Sequence, residues 1–442
     1  MANDHEMSMC ELGRAIDAGR IDPVDLTAHF LERAKTHRLS GRIYARVMED
    51  RAMAEAEAAA YRAKNGIRRG ILDGVPVSWK DLFDTAGVAT EAGSALLKDR
   101  IPTADAEVLK RASASGLVAL GKTHMSELAF SGLGLNPVTA TPPCVNNEDA
   151  VSGGSSSGAA TSVAYGLAAG AIGSDTGGSV RIPAAWNDLV GFKTTSGRLP
   201  LDGVVPLVAS FDTVGPICKT VEDAAELFAV LDGSPASDLR GASLAGTRFL
   251  ILDSVVFEGI RAEPLNGFER AVEALKSAGA QVERASLPCV EQAMALSAIL
   301  FNTEAYAEWR DVIEAAPDLM FPPILDRFRA GRDFGGCDYV AAWKKLHRLR
   351  VDYLAQTAGF DAVILPTAPI LAPDIARLLE DDDYYVSENL LALRNTRVGN
   401  LMGLPALTLP TGIPSTGLSV QTPQNTEAKL LRLGRAIEVA LA

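Results

Sequence analysis

The 442-residue chain carries 55 acidic against 42 basic side chains, a formal charge of −13; it repels a phosphate backbone, so nucleic-acid binding would need a local basic face that is not visible. Hydrophobic residues make up 48%, enough for a large core, and five scattered cysteines (Cys10, Cys144, Cys218, Cys289, Cys337) without a C-x-x-C pair argue against a disulfide framework or zinc site and for a reducing compartment. The acidic start lacks an apolar leader and no run is long enough to span a bilayer, so a cytoplasmic protein is expected.

Residues 8–65 predict helices. Leu12, Ile16 and the Leu26–Phe30–Leu31 set recur at helical spacing, Pro23 follows a capping Asp22, and 52–63 is rich in Ala and Glu. Residues 74–79 predict a short strand ending at Lys80–Asp81, 107–115 a helix, and 117–120 a buried strand. Residues 131–158, full of Gly, Pro, Asn and Ser, predict a long loop. A helix is expected over 159–167, and a strand over 171–178 that runs into a glycine turn. A further helix is expected near Thr220–Asp223. Residues 249–255, 267–278 and 281–285 then predict strand, helix and strand. The stretch 291–350 reads as mostly helical, its basic run 344–350 forming one side of an amphipathic helix, and 362–366 is a last strand. Strands interleaved with helices predict an α/β fold around a buried, largely parallel sheet, with no internal repeat or linker dividing the chain.

Three segments carry chemistry. In Gly74-Val-Pro-Val-Ser-Trp-Lys80-Asp81 a lysine ends an apolar strand. Desolvation would depress its pKa and make it a base, whereas an ammonium that reaches the surface or pairs with Asp81 or Asp84 would be structural. Gly153-Gly-Ser155-Ser156-Ser157-Gly158 packs three hydroxyls ahead of a helix, as a proton path or as a plain N-cap. Gly173-Ser-Asp175-Thr176-Gly177-Gly178-Ser179-Val180-Arg181 sets a serine beside successive N–H groups on a glycine turn, either the arrangement that acyl transfer needs or a plain strand-to-loop turn.

Together these segments resemble the amidase signature family. That family has a Lys-Asp after its strand, a G-G-S-S-[GS]-G loop and a G-x-D-x-G-G-S-[IV]-R block. Further matches are 121–127, 210–216 and 400–406. The resemblance runs from about residue 10 to the C-terminus, with its core over 74–216. It implies one amidase domain across residues 1–442, a large twisted mixed sheet flanked by helices. Carried over position by position, Ser179 becomes the nucleophile, Ser155 the proton bridge and Lys80 the base. The oxyanion N–H groups fall at Thr176, Gly177, Gly178 and Ser179, and Ala129 and Ser155 become substrate contacts. A cis bond is expected between Gly154 and Ser155. The chain departs from the family pattern at Thr194, at Asp188 and in the shortened 417–421 segment.

Three rival readings compete. Gly116–Thr123 matches a phosphate-binding-loop expression, but its inner Leu-Val-Ala-Leu reads as a strand. Gly154–Gly158 matches the nucleophile elbow of α/β-hydrolases, with Ser156 as nucleophile. The elbow needs a strand before it, and 146–152 looks like loop; a histidine would have to come last in the chain, leaving only His347, while His124 reads as structural. A glutamine-hydrolysing subunit of a tRNA-dependent amidotransferase shares the signature, but this chain looks short for one. The expected activity is hydrolysis of a small carboxamide through an acyl-enzyme on Ser179, with neither metal nor organic cofactor. The partner is a small-molecule amide, and a homodimer stays open. By analogy, residues 129–145, 295–340 and 380–396 shape the pocket. Arg310, Arg327, Arg329, Arg332 and Arg394 could meet a substrate carboxylate there but read more simply as surface charges.

Overall fold

A computed structural model describes residues 4–442. The N-terminal helices start where their caps dictate. The Ser8 side chain and Glu11 close a capping box on the helix Met9–Asp17, and Asp22 caps the helix Pro23–Thr36 with Pro23 in its first turn. The chain does not stay helical to residue 65, however: strand β1 (Tyr44–Val47) interrupts it. Four residues with a polar Arg46 among them are too short a run to read as a strand without the partner that pairs with it.

The remaining strands, in chain order, are β2 (Pro76–Lys80), β3 (Val118–Thr123), β4 (Pro143–Cys144), β5 (Asn147–Val151), β6 (Gly170–Ser174), β7 (Val190–Lys193), β8 (Val214–Cys218), β9 (Arg248–Leu252), β10 (Gln281–Ala285), β11 (Ala362–Pro366), β12 (Ala406–Pro410) and β13 (Gly417–Gln421). Eleven of the thirteen form one sheet in the order β1-β3-β2-β6-β8-β7-β12-β13-β11-β9-β10. The triplets β3-β2-β6 and β11-β9-β10 are parallel, while β1 and the four central strands join antiparallel to their neighbours. The sheet is therefore mixed rather than largely parallel. Helix-linked crossovers explain the two triplets. The centre is built from short strands, β7, β8, β12 and β13, that carry no periodic signal of their own.

The predicted loop 131–158 holds the two-stranded hairpin β4–β5, so a strand does precede Gly154. It lies outside the main sheet and bridges to Asp374 through Ala150. The departures from the family pattern are absorbed locally. Asp188 adopts φ +54°, a conformation that favours glycine, and its carboxylate accepts from Asn146 Nδ2 (2.7 Å) and the Ser415 N–H (2.8 Å). The Thr194 hydroxyl donates to the Val214 carbonyl at 3.1 Å, and the shortened 417–421 segment is strand β13 itself. Helices cover the sheet, and one continuous apolar cluster runs from Met9 to Ile437.

Strand β2 is the middle strand of the first parallel triplet and is buried along its whole length, paired with β3 and β6. Alternation along a strand puts Ser78 and Lys80 on one face and Val77 and Trp79 on the other. The Ser78 hydroxyl meets that of Ser162, 2.7 Å away, on the helix Ser157–Ala164. Lys80 is thereby aimed at the loop that opens this helix.

Candidate active site

Lys80 is fully buried at the end of β2, and its Nζ lies 2.7 Å from Ser155 Oγ and 2.8 Å from Ser174 Oγ. Burial lowers its pKa to about 7, against the opposing pull of Asp212 and Asp175. The Gly154–Ser155 peptide is cis. The loop around it is pinned by its backbone: Gly154 N–H donates to the Gly132 carbonyl (2.8 Å), Ser126 N–H to that of Ser155 (3.1 Å), and Ser156 N–H to that of Ser179 (3.2 Å). A side chain at Gly154 would put its Cβ 2.5 Å from both Gly134 N and Ser126 Oγ, so only glycine fits there.

The turn carrying Ser179 is organised by Asp175. Its carboxylate accepts from the N–H groups of Gly178 (2.9 Å) and Val180 (3.1 Å), from Arg181 Nε (3.0 Å) and Nη2 (2.9 Å), and from Asn400 Nδ2 (2.8 Å). Asp175 and Arg181 are both fully inaccessible to solvent. Burial alone would raise the Asp175 carboxyl, but Arg181, Lys193 and Asn400 outweigh it and hold it well below the usual carboxylate range. Gly178 sits at φ +138°, where a Cβ would lie 2.1 Å from Thr396 Oγ1. The Gly178 N–H is engaged by Asp175. Among the described residues the N–H groups of Thr176, Gly177 and Ser179 have no protein acceptor, so these three are free to receive an oxyanion. The Thr176 hydroxyl donates to the Asp212 carboxylate, which also accepts from the N–H groups of Leu207 (2.9 Å) and Val208 (3.1 Å).

A cavity of about 520 Å³ opens onto this turn. Ala129, Thr176, Gly177 and Ser179 line it; Ser155 and Gly178 lie buried behind that wall. Ala129 itself is held at φ +60°. The outer wall comes from residues 129–131, 294–302, 323–330 and 382–397, so each expected pocket segment contributes in part, while 132–145, 303–322 and 331–340 do not line the cavity. Of the five arginines considered from sequence, only Arg327 lines the cavity. Arg310, Arg329 and Arg332 pair with Asp311, Glu314 and Asp333, and Arg394 donates to the Val256 carbonyl at 3.2 Å. Arg397, Asn389 and Tyr385 also line it. Sequence reasoning missed these three, which share one helix with no motif around them. It also missed Ser174 and Asp212, whose roles depend on contacts across the sheet.

The rival motifs lead elsewhere. Ser156 is fully buried, its hydroxyl tied to both the carbonyl (3.2 Å) and the N–H (3.3 Å) of Ser174, and it does not reach the cavity. Lys122 lies within β3, its ammonium held by the Phe83 carbonyl (2.5 Å), Thr90 Oγ1 (2.9 Å) and Asp81 (3.4 Å), which is no phosphate loop. Burial drops His124 to about 4, so it stays neutral, and it does not line the cavity. The Asp175 network yields a prediction. Asp175→Ala leaves the Arg181 guanidinium buried and unpaired; it should lower unfolding free energy by about 3–5 kcal/mol in urea titrations and abolish turnover in the fraction that folds.

Along its length the chain resembles known proteins. The family model Amidase matches residues 25–431. The chain is 34% identical to 2-amino-5-chloromuconic acid deaminase of Comamonas testosteroni, over 98% of this chain and 97% of that one. It is 32% identical to a glutamyl-tRNA(Gln) amidotransferase subunit of Myxococcus xanthus, again over 98% and 97%. With such coverage, the length of the chain does not set it apart from that subunit, contrary to the expectation from sequence. A crystal structure of an amidase superposes with a TM-score of 0.88 at 30% identity, covering 99% of this chain and 100% of that one. The chain belongs to the amidase family of amide hydrolases.

Proposed function

We propose that the protein hydrolyses a small carboxamide through an acyl-enzyme on Ser179, with Ser155 as proton bridge and Lys80 as base. The observation that carries this reading is the buried Lys80 Nζ in contact with Ser155 Oγ, behind a turn that presents Ser179 and three free N–H groups to a cavity. Neutral Lys80 accepts the Ser155 proton as Ser155 accepts that of Ser179. The Ser179 oxygen adds to the amide carbonyl, and the oxyanion is received by the N–H groups of Thr176, Gly177 and Ser179. On collapse the C–N bond breaks, and the proton returns through Ser155 to the departing nitrogen. Water then enters by the same relay and cleaves the ester, releasing the acid. No step calls on a metal or organic cofactor.

The similarity to one component of an amidotransferase supports a second reading, in which the same site hydrolyses glutamine and the ammonia passes to a partner enzyme. The two readings separate on the isolated chain. Steady hydrolysis of amides other than glutamine supports the first, while glutaminase activity that appears only with a partner protein supports the second.

Ser179→Ala should lower kcat by at least about 10⁴-fold, whereas Ser156→Ala should keep substantial activity. A serine-directed covalent probe found by mass spectrometry on Ser156 rather than Ser179 would reverse the assignment.

The base gives a pH prediction. With Lys80 titrating near 7, kcat/KM should rise along a single acidic limb through about pH 7 and level off above it. For stability the sign is the opposite of a salt-bridged group. The folded state gives up this proton more readily than the unfolded one, so Lys80 opposes folding most below pH 7, and the penalty fades as pH climbs toward the ordinary lysine value. Lys80→Met should therefore lose turnover without a lower melting temperature at pH 6. Lys80→Arg should fall by at least about 10²–10⁴-fold, because guanidinium does not deprotonate. Near-normal turnover in Lys80→Arg would remove lysine as the base.

A further inference from the structure

The cavity wall holds two cations and no buried anion. Arg327 comes from the helix Pro322–Arg329 and Arg397 from the helix Asp382–Met402. Arg327 Nη1 donates to the Phe130 carbonyl at 2.8 Å, and its guanidinium sits 4.2 Å from the centre of the Phe130 ring. The Arg397 guanidinium lies 6.0 Å from the Phe301 ring. Neither makes an ion pair among the described residues, although neighbours on the same two elements do: Arg329 with Glu314 at 2.7 Å, and Glu388 with Arg261. Three carboxylates also reach this cavity, Asp326, Asp382 and Asp383, and all three are exposed to solvent. Burial lowers Arg327 to about 9, with the like charge of Arg397 adding to it and Tyr385 opposing, and burial lowers Arg397 to about 10. Both remain charged at pH 7.

A third donor shares the wall. Asn389 Oδ1 is taken by the Gly132 N–H (2.8 Å) and the Ser131 hydroxyl (3.2 Å), while its NH₂ has no acceptor among the described residues. Phe130, Leu207, Met294, Phe301 and Leu393 supply an apolar surface in the same cavity. Two partly buried guanidiniums without a carboxylate partner are an unbalanced charge, which a packed protein tolerates where a ligand supplies the opposite sign.

We propose that the substrate is an amide that also bears a carboxylate, a half-amide of a dicarboxylic acid, whose acid group is held by Arg327 and Arg397. The apolar wall takes the carbon chain between this group and the scissile amide. The inference rests on the reading of Ser179 as nucleophile only for the direction in which the amide lies.

The test compares succinamate, glutaramate and adipamate with the neutral primary amides of the same chain length. The half-amides should show kcat/KM at least about 10-fold higher, chiefly through KM. Arg327→Gln and Arg397→Gln should each lower half-amide kcat/KM by about 10- to 100-fold and leave the neutral amides within a few-fold. Equal or better turnover of neutral amides, or variants that slow both classes alike, would overturn the proposal. Arg397 makes no hydrogen bond to the fold among the described residues, so its variant decides if Arg327→Gln melts early. A second readout is independent of chemistry. Calorimetry of glutarate and adipate on Ser179→Ala should give saturable binding that Arg397→Gln weakens by about 10-fold or more, and absence of such binding sinks the clamp. Conversely, a Ser179→Ala protein that still hydrolyses half-amides would refute the nucleophile and leave the clamp standing.

Discussion

The buried pair of Asp175 and Arg181 is the constraint on which the site depends. One carboxylate gathers two backbone N–H groups of the turn, two nitrogens of Arg181 and the Asn400 amide. Arg181 in turn donates to the Thr396 carbonyl at 2.7 Å, and the Thr396 hydroxyl donates to that of Gly177 at 2.7 Å. A glycine-rich turn left to itself samples many conformations and aims its N–H groups nowhere in particular. Fixing it from beneath with a charge pair leaves the N–H groups of Thr176, Gly177 and Ser179 without a protein acceptor among the described residues, in a turn that lines the cavity, the preorganisation that the proposed oxyanion role requires. An ion pair removed from water contributes little net stability. Its effect here is to choose one shape for the turn.

Three lysines lie fully buried among the described residues, and their partners separate their roles. Lys122 meets the Asp81 carboxylate and the Phe83 carbonyl as well as the Thr90 hydroxyl, and Lys193 meets the carbonyls of Thr194 and Leu404, both at 2.8 Å. Carbonyls and carboxylates only accept, so they favour an ammonium that donates to them. Lys80 meets two hydroxyls, Ser155 and Ser174. A hydroxyl both donates and accepts, so it serves the neutral amine as well as the cation and imposes no protonation state. Depressed titration is shared by all three, which is why burial by itself does not mark a base.

How much of this could be read from the sequence follows from the range of each interaction. The capped helices at Ser8 and Asp22 and the strand at 362–366 are local events, and local residue choice announces them. Strands β7, β8, β12 and β13 are four or five residues each and exist because of their neighbours, so no period reveals them. The motif serines and Lys80 were legible because the proposed chemistry calls for those types at those places. Ser174 was overlooked although it sits inside a quoted motif, because its contact with Lys80 links residues 94 apart in sequence. Arg327 looked like any helical surface charge, and only the cavity distinguishes it from Arg329 two residues on.

The reach of the Asp175 network also bears on how the chain matures during synthesis. Asn400 lies 225 residues beyond Asp175, and Thr396 lies 215 beyond Arg181. As the chain leaves the ribosome, the segment bearing Lys80, Ser155 and Ser179 emerges long before the helix that must brace its turn. Until that helix arrives, Arg181 has one acid and no further acceptors, and the glycines above it are unanchored. Contacts of such separation form late, after most of the loop entropy has been lost. The nascent protein thus holds Lys80, Ser155 and Ser179 while lacking the shape of their turn, which is set only as the helix Asp382–Met402 docks.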